Sequence, residues 1–119
     1  MTVNSLARQS PFTTADGSAI RSILDSTNAP VENQSLAEAR LPANGSTQRH
    51  HHRQSEELYF ILEGKGMMEV NGEMRQVSPG DGILIPAGAW HQIRASETAP
   101  LQFLCCCSPP YSHEDTYFD

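Results

Sequence analysis

His50-His51-His52-Arg53-Gln54-Ser55-Glu56-Glu57-Leu58-Tyr59-Phe60-Ile61-Leu62-Glu63-Gly64-Lys65-Gly66 is the stretch whose reading decides the fold. It sets two histidines and a carboxylate ahead of a run of aromatic and branched residues that ends in glycine. Side chains two apart on a strand share a face, so His50 and His52 point the same way and His51 points away. The run from Glu57 to Leu62 has strand composition. Between the two pieces, Arg53-Gln54-Ser55-Glu56 is polar enough to bend and to bring Glu57 back beside the imidazoles. A fourth donor, His91, follows the glycine- and proline-punctuated stretch Gly80-Asp81-Gly82-Ile83-Leu84-Ile85-Pro86-Ala87-Gly88-Ala89-Trp90. Three imidazoles and one carboxylate make a mixed nitrogen and oxygen set for a divalent transition metal.

These two stretches resemble the two motifs of the cupin family. His-x-His, four residues, Glu, six residues and Gly are filled by His50, His52, Glu57 and Gly64. Gly, five residues, Pro-x-Gly, two residues and His are filled by Gly80, Pro86, Gly88 and His91. Two departures concern a turn length and an outer hydrogen bond. Gly45 lies five positions before His50, one fewer than usual, and Ala95 stands where the motif usually ends in Asn. The resemblance implies an all-β double-stranded β-helix, a small jelly-roll barrel, with one metal ion per chain held by His50, His52, Glu57 and His91. It also implies a homodimer, since small cupins are commonly dimeric and Leu58, Phe60 and Leu62 form an apolar row facing away from the ligand side.

Length and composition fit this. A chain of 119 residues is expected to form a single domain over 1–119, with a loosely ordered arm at 1–13 and the barrel core at about 31–108. Hydrophobic residues at 38% and charged residues at 18% suit a turn-rich globular β protein. A net charge of −6 argues against nucleic acid as a partner. Met1 to Arg8 has no apolar core of signal-peptide length and no later run approaches a membrane span, so the expectation is a cytoplasmic protein with no membrane partner. Cys105-Cys106-Cys107 is neither a disulfide framework nor a zinc thiolate site, because a vicinal disulfide is strained and no second cysteine pair exists.

In chain order, Ile20, Ile23 and Leu24 show a three-and-four spacing that predicts a short N-terminal helical turn capped by Thr14 or Asp16. Gln34 to Leu41 reads as a strand and Ser46 to His52 as the ligand strand. Gly64-Lys65-Gly66 is expected to close one hairpin and Asn71-Gly72 a second. The strand of Ile83 to Ile85, the segment Trp90 to Ala95 and a last strand Leu101 to Cys107 complete a series of short strands at regular spacing.

Alternation places Tyr59 and Ile61 on the face of Glu57, as pocket-wall candidates. On the last strand either Phe103, Cys105 and Cys107 or Gln102, Leu104 and Cys106 face inward. The odd-numbered set is the expectation, since it turns apolar bulk and thiols towards the site. A thiol beside a cation is then expected to have a lowered pKa. Iron, manganese, nickel, copper and zinc all suit the donor set. Four protein donors leave an octahedral ion two positions for water or substrate oxygens. The expected function is a metal-dependent oxidoreductase of the dioxygenase type acting on a small oxygen-chelating organic substrate. The alternatives are a metal-assisted isomerase or lyase on a sugar or hydroxy acid, and a non-catalytic small-molecule-binding protein.

Overall fold

The computed structural model describes residues 1–14 and 16–119. Its strands are β1 Phe12–Thr13, β2 Ala19–Leu24, β3 Ser35–Leu41, β4 His50–His52, β5 Glu56–Glu63, β6 Gly66–Val70, β7 Glu73–Val77, β8 Gly82–Ile85, β9 His91–Ala95, β10 Leu101–Ser108 and β11 Thr116–Phe118. They form two antiparallel sheets, in the orders β1-β2-β3-β10-β5-β8 and β11-β4-β9-β6-β7. Among the described residues the only helical segments are single 3₁₀ turns at Leu6–Arg8 and His113–Asp115. The architecture is the expected all-β barrel. No helix is long and apolar enough to cross a membrane.

The sheets close on a core of Ala39, Leu41, Tyr59, Ile61, Met68, Val77, Ile85, Ala89, Ile93, Ala95, Leu101 and Phe103. Strict alternation supplies it. Along β5, Glu57, Tyr59 and Ile61 are buried while Glu56, Leu58 and Phe60 are exposed. The same parity buries His91, Ile93 and Ala95 on β9 and Phe103 and Cys107 on β10.

Three local expectations are corrected. Ile20, Ile23 and Leu24 lie on a strand, β2, and the single N-terminal helical turn sits earlier, at Leu6–Arg8. The register of β2 against β3 slips between Ser22 and Leu24. A bulge breaks two-residue alternation, and the extra residue leaves a spacing that mimics a helix. Second, Gly64-Lys65-Gly66 does not close a hairpin, because β5 and β6 belong to different sheets. It is instead the corner where the chain changes sheets. Gly64 has φ +81°, and a Cβ there would lie 2.2 Å from the Pro100 carbonyl oxygen, so only glycine fits. The Asn71-Gly72 hairpin joining β6 and β7 forms as expected, with both residues at positive φ. Third, the ligand strand is shorter than Ser46 to His52, running only over His50–His52, with Ser46 held by an isolated bridge to Arg94.

The N-terminal segment runs along β2. Asn4 Nδ2 donates to the carbonyls of Ile23 and Asn28, and β1 pairs Phe12 with Ile20 and Thr13 with Ala19. The C-terminal segment grips the opposite end. β11 pairs with β4 through Thr116–His52, Tyr117–His51 and Phe118–His50.

Just before β11, the buried Asp115 carboxylate accepts from the backbone amides of Arg53, Gln54 and Ser55 at 3.0–3.1 Å. These are the residues that turn the chain from β4 into β5. A carboxylate that collects three amides in a partly buried turn replaces the water those donors would otherwise need. Asp115→Ala is therefore expected to cost on the order of 3 kcal/mol, since each charge-assisted bond contributes about 1.5–3 kcal/mol and the amides are left bare. Urea denaturation checks this, and a loss below about 0.5 kcal/mol, within the range of ordinary surface substitutions, would refute the grip.

Candidate metal centre

β4 and β9 are neighbours in register, with His50 opposite His91, and this pairing brings histidines 41 positions apart in sequence onto one patch of sheet. His50, His52 and His91 are all buried, at 3%, 4% and 0% exposure. Each ring is oriented the same way. His50 Nδ1 donates to the Gln48 carbonyl at 2.7 Å, His52 Nδ1 to the Asp115 carbonyl at 3.2 Å, and His91 Nδ1 to the Ala89 carbonyl at 2.9 Å. A carbonyl can only accept, so in the neutral ring the proton sits on Nδ1 and the lone pair on Nε2. The three histidines can each offer a donor atom within 4.8 Å of the others.

Glu57 comes from the facing sheet. Its Oε1 lies 3.4 Å from both His52 Nε2 and His91 Nε2, and its Oε2 accepts from the Cys107 thiol at 3.2 Å. Glu57 Oε1 and His91 Nε2 are buried without a hydrogen-bond partner among the described residues. Buried polar atoms without partners are rare and costly. Separations of 3.4 Å are long for hydrogen bonds but close to the edge between two donors sharing an ion at about 2.0–2.2 Å. The three imidazoles could hold a metal ion, and Glu57 lies beside two of them with Oε2 engaged by the Cys107 thiol and Oε1 free.

The electrostatics are those of a desolvated charge cluster. Burial, then the neighbouring His91, lowers the pKa of His50. Burial also opposes charge on His52, but the hydrogen bond and charge of Glu57 outweigh it and the net shift is upward. Burial would raise Glu57, yet hydrogen bonds and charge from His52 and His91 bring it to about 2. Glu57 is thus a carboxylate at neutral pH despite being buried.

A cavity of about 60 Å³ opens against His50, His52 and Glu57. That is room for a few waters, at about 10–15 Å³ each, or for one small organic molecule. Tyr59, Phe103 and Cys105 line it, as does Cys107. Ile61 is fully buried in the core and is not part of the wall. Gln102, Leu104 and Cys106 face the other side, where Gln102 Nε2 donates to Glu38 Oε2 at 2.5 Å and the Cys106 thiol to Gln34 Oε1 at 3.8 Å. His51 points away from the histidine patch, stacked on Tyr117 with ring centroids 5.2 Å apart and edge-on to Trp90 at 4.3 Å.

The protein's own groups act on the cysteines in the direction opposite to that expected of a cation. Burial first, then the negative charge of Glu57, pushes both Cys105 and Cys107 up, so the protein's own groups hold these sulfurs as thiols.

The site also contains residues that the sequence reading did not assign to it. Asp16, read as a helix cap, lies on the cavity wall with Thr14, Ser18, Ser22, Asp25 and Tyr111. Asp115, 58 positions beyond Glu57, fixes both the His52 ring and the turn ahead of Glu57. Asp16-Gly17 was legible as a turn, and an aspartate in a turn beside the ligand strand is a signal of sorts. Nothing local marks Asp115.

The comparisons agree with this architecture. A model of the cupin domain matches residues 37–107. A protein of Methanocaldococcus jannaschii, itself uncharacterized, is 47% identical over 106 residues, covering 89% of this chain and 85% of that one. An oxalate-binding protein of Thermotoga maritima is 32% identical over 69 residues, 58% of this chain and 57% of its own. Among solved structures, one titled a predicted oxalate decarboxylase from Thermotoga maritima superposes with a TM-score of 0.79 at 22% identity, over 90% of this chain and 98% of that chain. With the family model spanning more than half its length and both motifs meeting at one buried patch, the chain belongs to the cupin family.

Proposed function

We propose that the protein is a metal-dependent oxidoreductase of the dioxygenase type, acting on a small organic molecule that chelates through oxygen. The observation that carries this reading is the pair of unpartnered buried atoms, Glu57 Oε1 and His91 Nε2, within a set of three outward-locked imidazoles at the edge of a mostly apolar cavity. His50, His52, Glu57 and His91 would hold one divalent transition ion. The ion would supply Lewis acidity and, where it is redox-active, electrons for oxygen chemistry.

The chain's own residues do the rest. The carbonyls of Gln48, Asp115 and Ala89 fix the rings, and the Cys107 thiol occupies Glu57 Oε2 so that only Oε1 faces inward. Tyr59 and Phe103, 4.6 Å apart between centroids, form an apolar wall that excludes water from a bound organic ring or chain. No lysine or arginine is among the residues lining the cavity. An anionic oxygen on the substrate would therefore find its counter-charge only at the ion, which supports chelation as the binding mode. The oxalate-binding relative is consistent with a bidentate oxygen ligand in this family.

We further propose a homodimer formed through the outer face of the six-stranded sheet. Leu58, Phe60 and Leu84 are 49%, 45% and 56% exposed there, and Leu58 lies directly opposite Leu84 in the register of β5 and β8. The neighbouring residues on β10 are Leu104 and Cys106, so the middle of the patch is apolar, with Glu56 of β5 at its rim. Two copies related by a two-fold axis would cover each other's patch with identical residues, which is the simplest way to bury a flat apolar face in a protein of net charge −6.

Metal analysis tests the first proposal. The wild type should carry one ion per chain, and His52→Ala and His91→Ala should each lose most of it, about 10-fold or more in affinity. Full occupancy in either variant would reject the ligand set. Protein loaded with iron, manganese or copper should consume oxygen with at least one of a panel of catechols, diketones and flavonols, and zinc-loaded protein should not. For the dimer, sedimentation at micromolar concentration should give twice the chain mass, and Phe60→Asp should give monomer. Monomeric wild type would remove that proposal.

A further inference from the structure

Besides Glu57, Asp16 brings a second carboxylate from the cavity wall towards the histidine patch. Its two oxygens are in different situations. Oδ1 accepts three bonds, from Thr14 Oγ1 at 2.5 Å, Ser18 N at 2.9 Å and Ser18 Oγ at 2.6 Å. Oδ2 accepts none among the described residues and lies 3.9 Å from His50 Nε2, the nitrogen that faces the proposed ion. The loop that presents it is built for the purpose. Ser18 is 1% exposed, and Gly17 at φ +92° lets the chain reverse between Asp16 and β2. One oxygen is anchored and the other is left as a bare acceptor aimed at the ligand's side of the site, with a side chain only 16% exposed.

We infer that Asp16 sets ligand choice: it takes a hydrogen bond from a hydroxyl carried by the chelating ligand and repels a second carboxylate at the same place. The ligand class is a hydroxy acid or similar hydroxy-carbonyl chelator, in preference to a dicarboxylate such as oxalate. This rests on the metal-centre reading above. Two features of the cavity point the same way. Arginine is the residue that most favours a carboxylate beyond the one the ion would hold, and none lines this cavity. The remaining charged group on the wall, Asp25, is also an acid, engaged by Ser22 and by the amide and hydroxyl of Thr27. The polar side chains around Asp16 are hydroxyls, those of Thr14, Ser18, Ser22, Ser35 and Tyr111. The cavity therefore pairs a proposed cation at one end with an acceptor-rich, anionic wall at the other. A neutral or singly charged ligand with a hydroxyl fits both ends, whereas a dianion fits only one.

Asp16→Asn tests this with the loop kept in place. The amide oxygen would take the Oδ1 position, where three donors already point, which turns the NH2 group into the cavity in place of Oδ2. An acceptor is thereby exchanged for a donor and a charge is removed. Calorimetric titrations would use protein loaded with zinc, so that no turnover intervenes, with glycolate, methoxyacetate and oxalate as probes. In the wild type, glycolate should bind about 10-fold tighter than methoxyacetate, which keeps the oxygens and lacks the hydroxyl proton, the worth of one hydrogen bond to a charged acceptor. In Asp16→Asn that advantage should vanish, and the ratio of oxalate to glycolate affinity should rise about 10-fold or more, with bound zinc unchanged. Equal wild-type affinities for glycolate and methoxyacetate would overturn the inference without any variant. An unchanged oxalate-to-glycolate ratio in a zinc-replete Asp16→Asn protein would do the same. Protein that takes up no zinc at all would instead overturn the metal-centre reading on which the inference rests.

Discussion

The Asp115 carboxylate, closed over the amides of Arg53, Gln54 and Ser55, is the contact on which the site depends. The problem it solves is geometric. His50 and His52 lie on a strand of one sheet and Glu57 on a strand of the other, so the chain must leave the first sheet and enter the second within four residues. A turn that tight leaves donors bare inside the protein, and a bare buried amide costs enough to favour a different path. Asp115 accepts all three. The carbonyl of the same residue receives His52 Nδ1, so one residue fixes the turn before the carboxylate and the tautomer of an imidazole.

With the turn fixed, the donors face a second constraint. Three imidazoles and a carboxylate sit within a few ångströms of one another and are 0–5% exposed. Stability alone would not choose this arrangement, since a buried carboxylate costs several kcal/mol unless its charge is met. The nearby His52 and His91 rings offset part of that cost and bring Glu57 down to about 2 against the opposing effect of burial. Yet Oε1 still lacks a proper hydrogen bond, and so does His91 Nε2. An ion bonded to both would satisfy these atoms together, which the long 3.4 Å separation between them does not do as a hydrogen bond. The Cys107 thiol takes up Oε2 and stays a thiol because the same carboxylate raises its pKa.

How much of this was legible follows from how local each determinant is. The barrel, the shared face of His50 and His52, the opposite face of His51 and the inward parity of Phe103, Cys105 and Cys107 all rest on two-residue alternation, which a strand carries in its own sequence. Expectations failed where a longer-range fact intervened. The bulge in β2 depends on its register against β3, and it gave Ile20, Ile23 and Leu24 a helical spacing. The Gly64-Lys65-Gly66 corner has the composition of a hairpin, and only the Pro100 carbonyl packed against Gly64 shows that it is a change of sheet. Ile61 has the right parity for the wall but sits too far along β5 from Glu57, in the closed part of the core. Asp115 and Asp16 were invisible as site residues because each acts on a partner far away in the chain or through a single free oxygen.

On the proposed reading, the N-terminal loop would set ligand choice without any change in the strands that carry the histidines. The side chains of His50, His52, Glu57 and His91 are buried between the two sheets, where a change would disturb their neighbours. The wall opposite them is made by Thr14, Asp16 and Ser18 at the start of β2, the second strand in from the edge of its sheet. That loop is held mainly through its backbone, by the Gly17 turn and by the Asp16 carbonyl accepting from Gln48 N at 2.7 Å, and through the bonds on Asp16 Oδ1. Its chemistry is free to change while the barrel stays the same. A fold that separates the charge-bearing centre from the ligand-facing loop in this way can keep one donor set and host many substrates, so the loop is the part of the chain from which ligand class should be read.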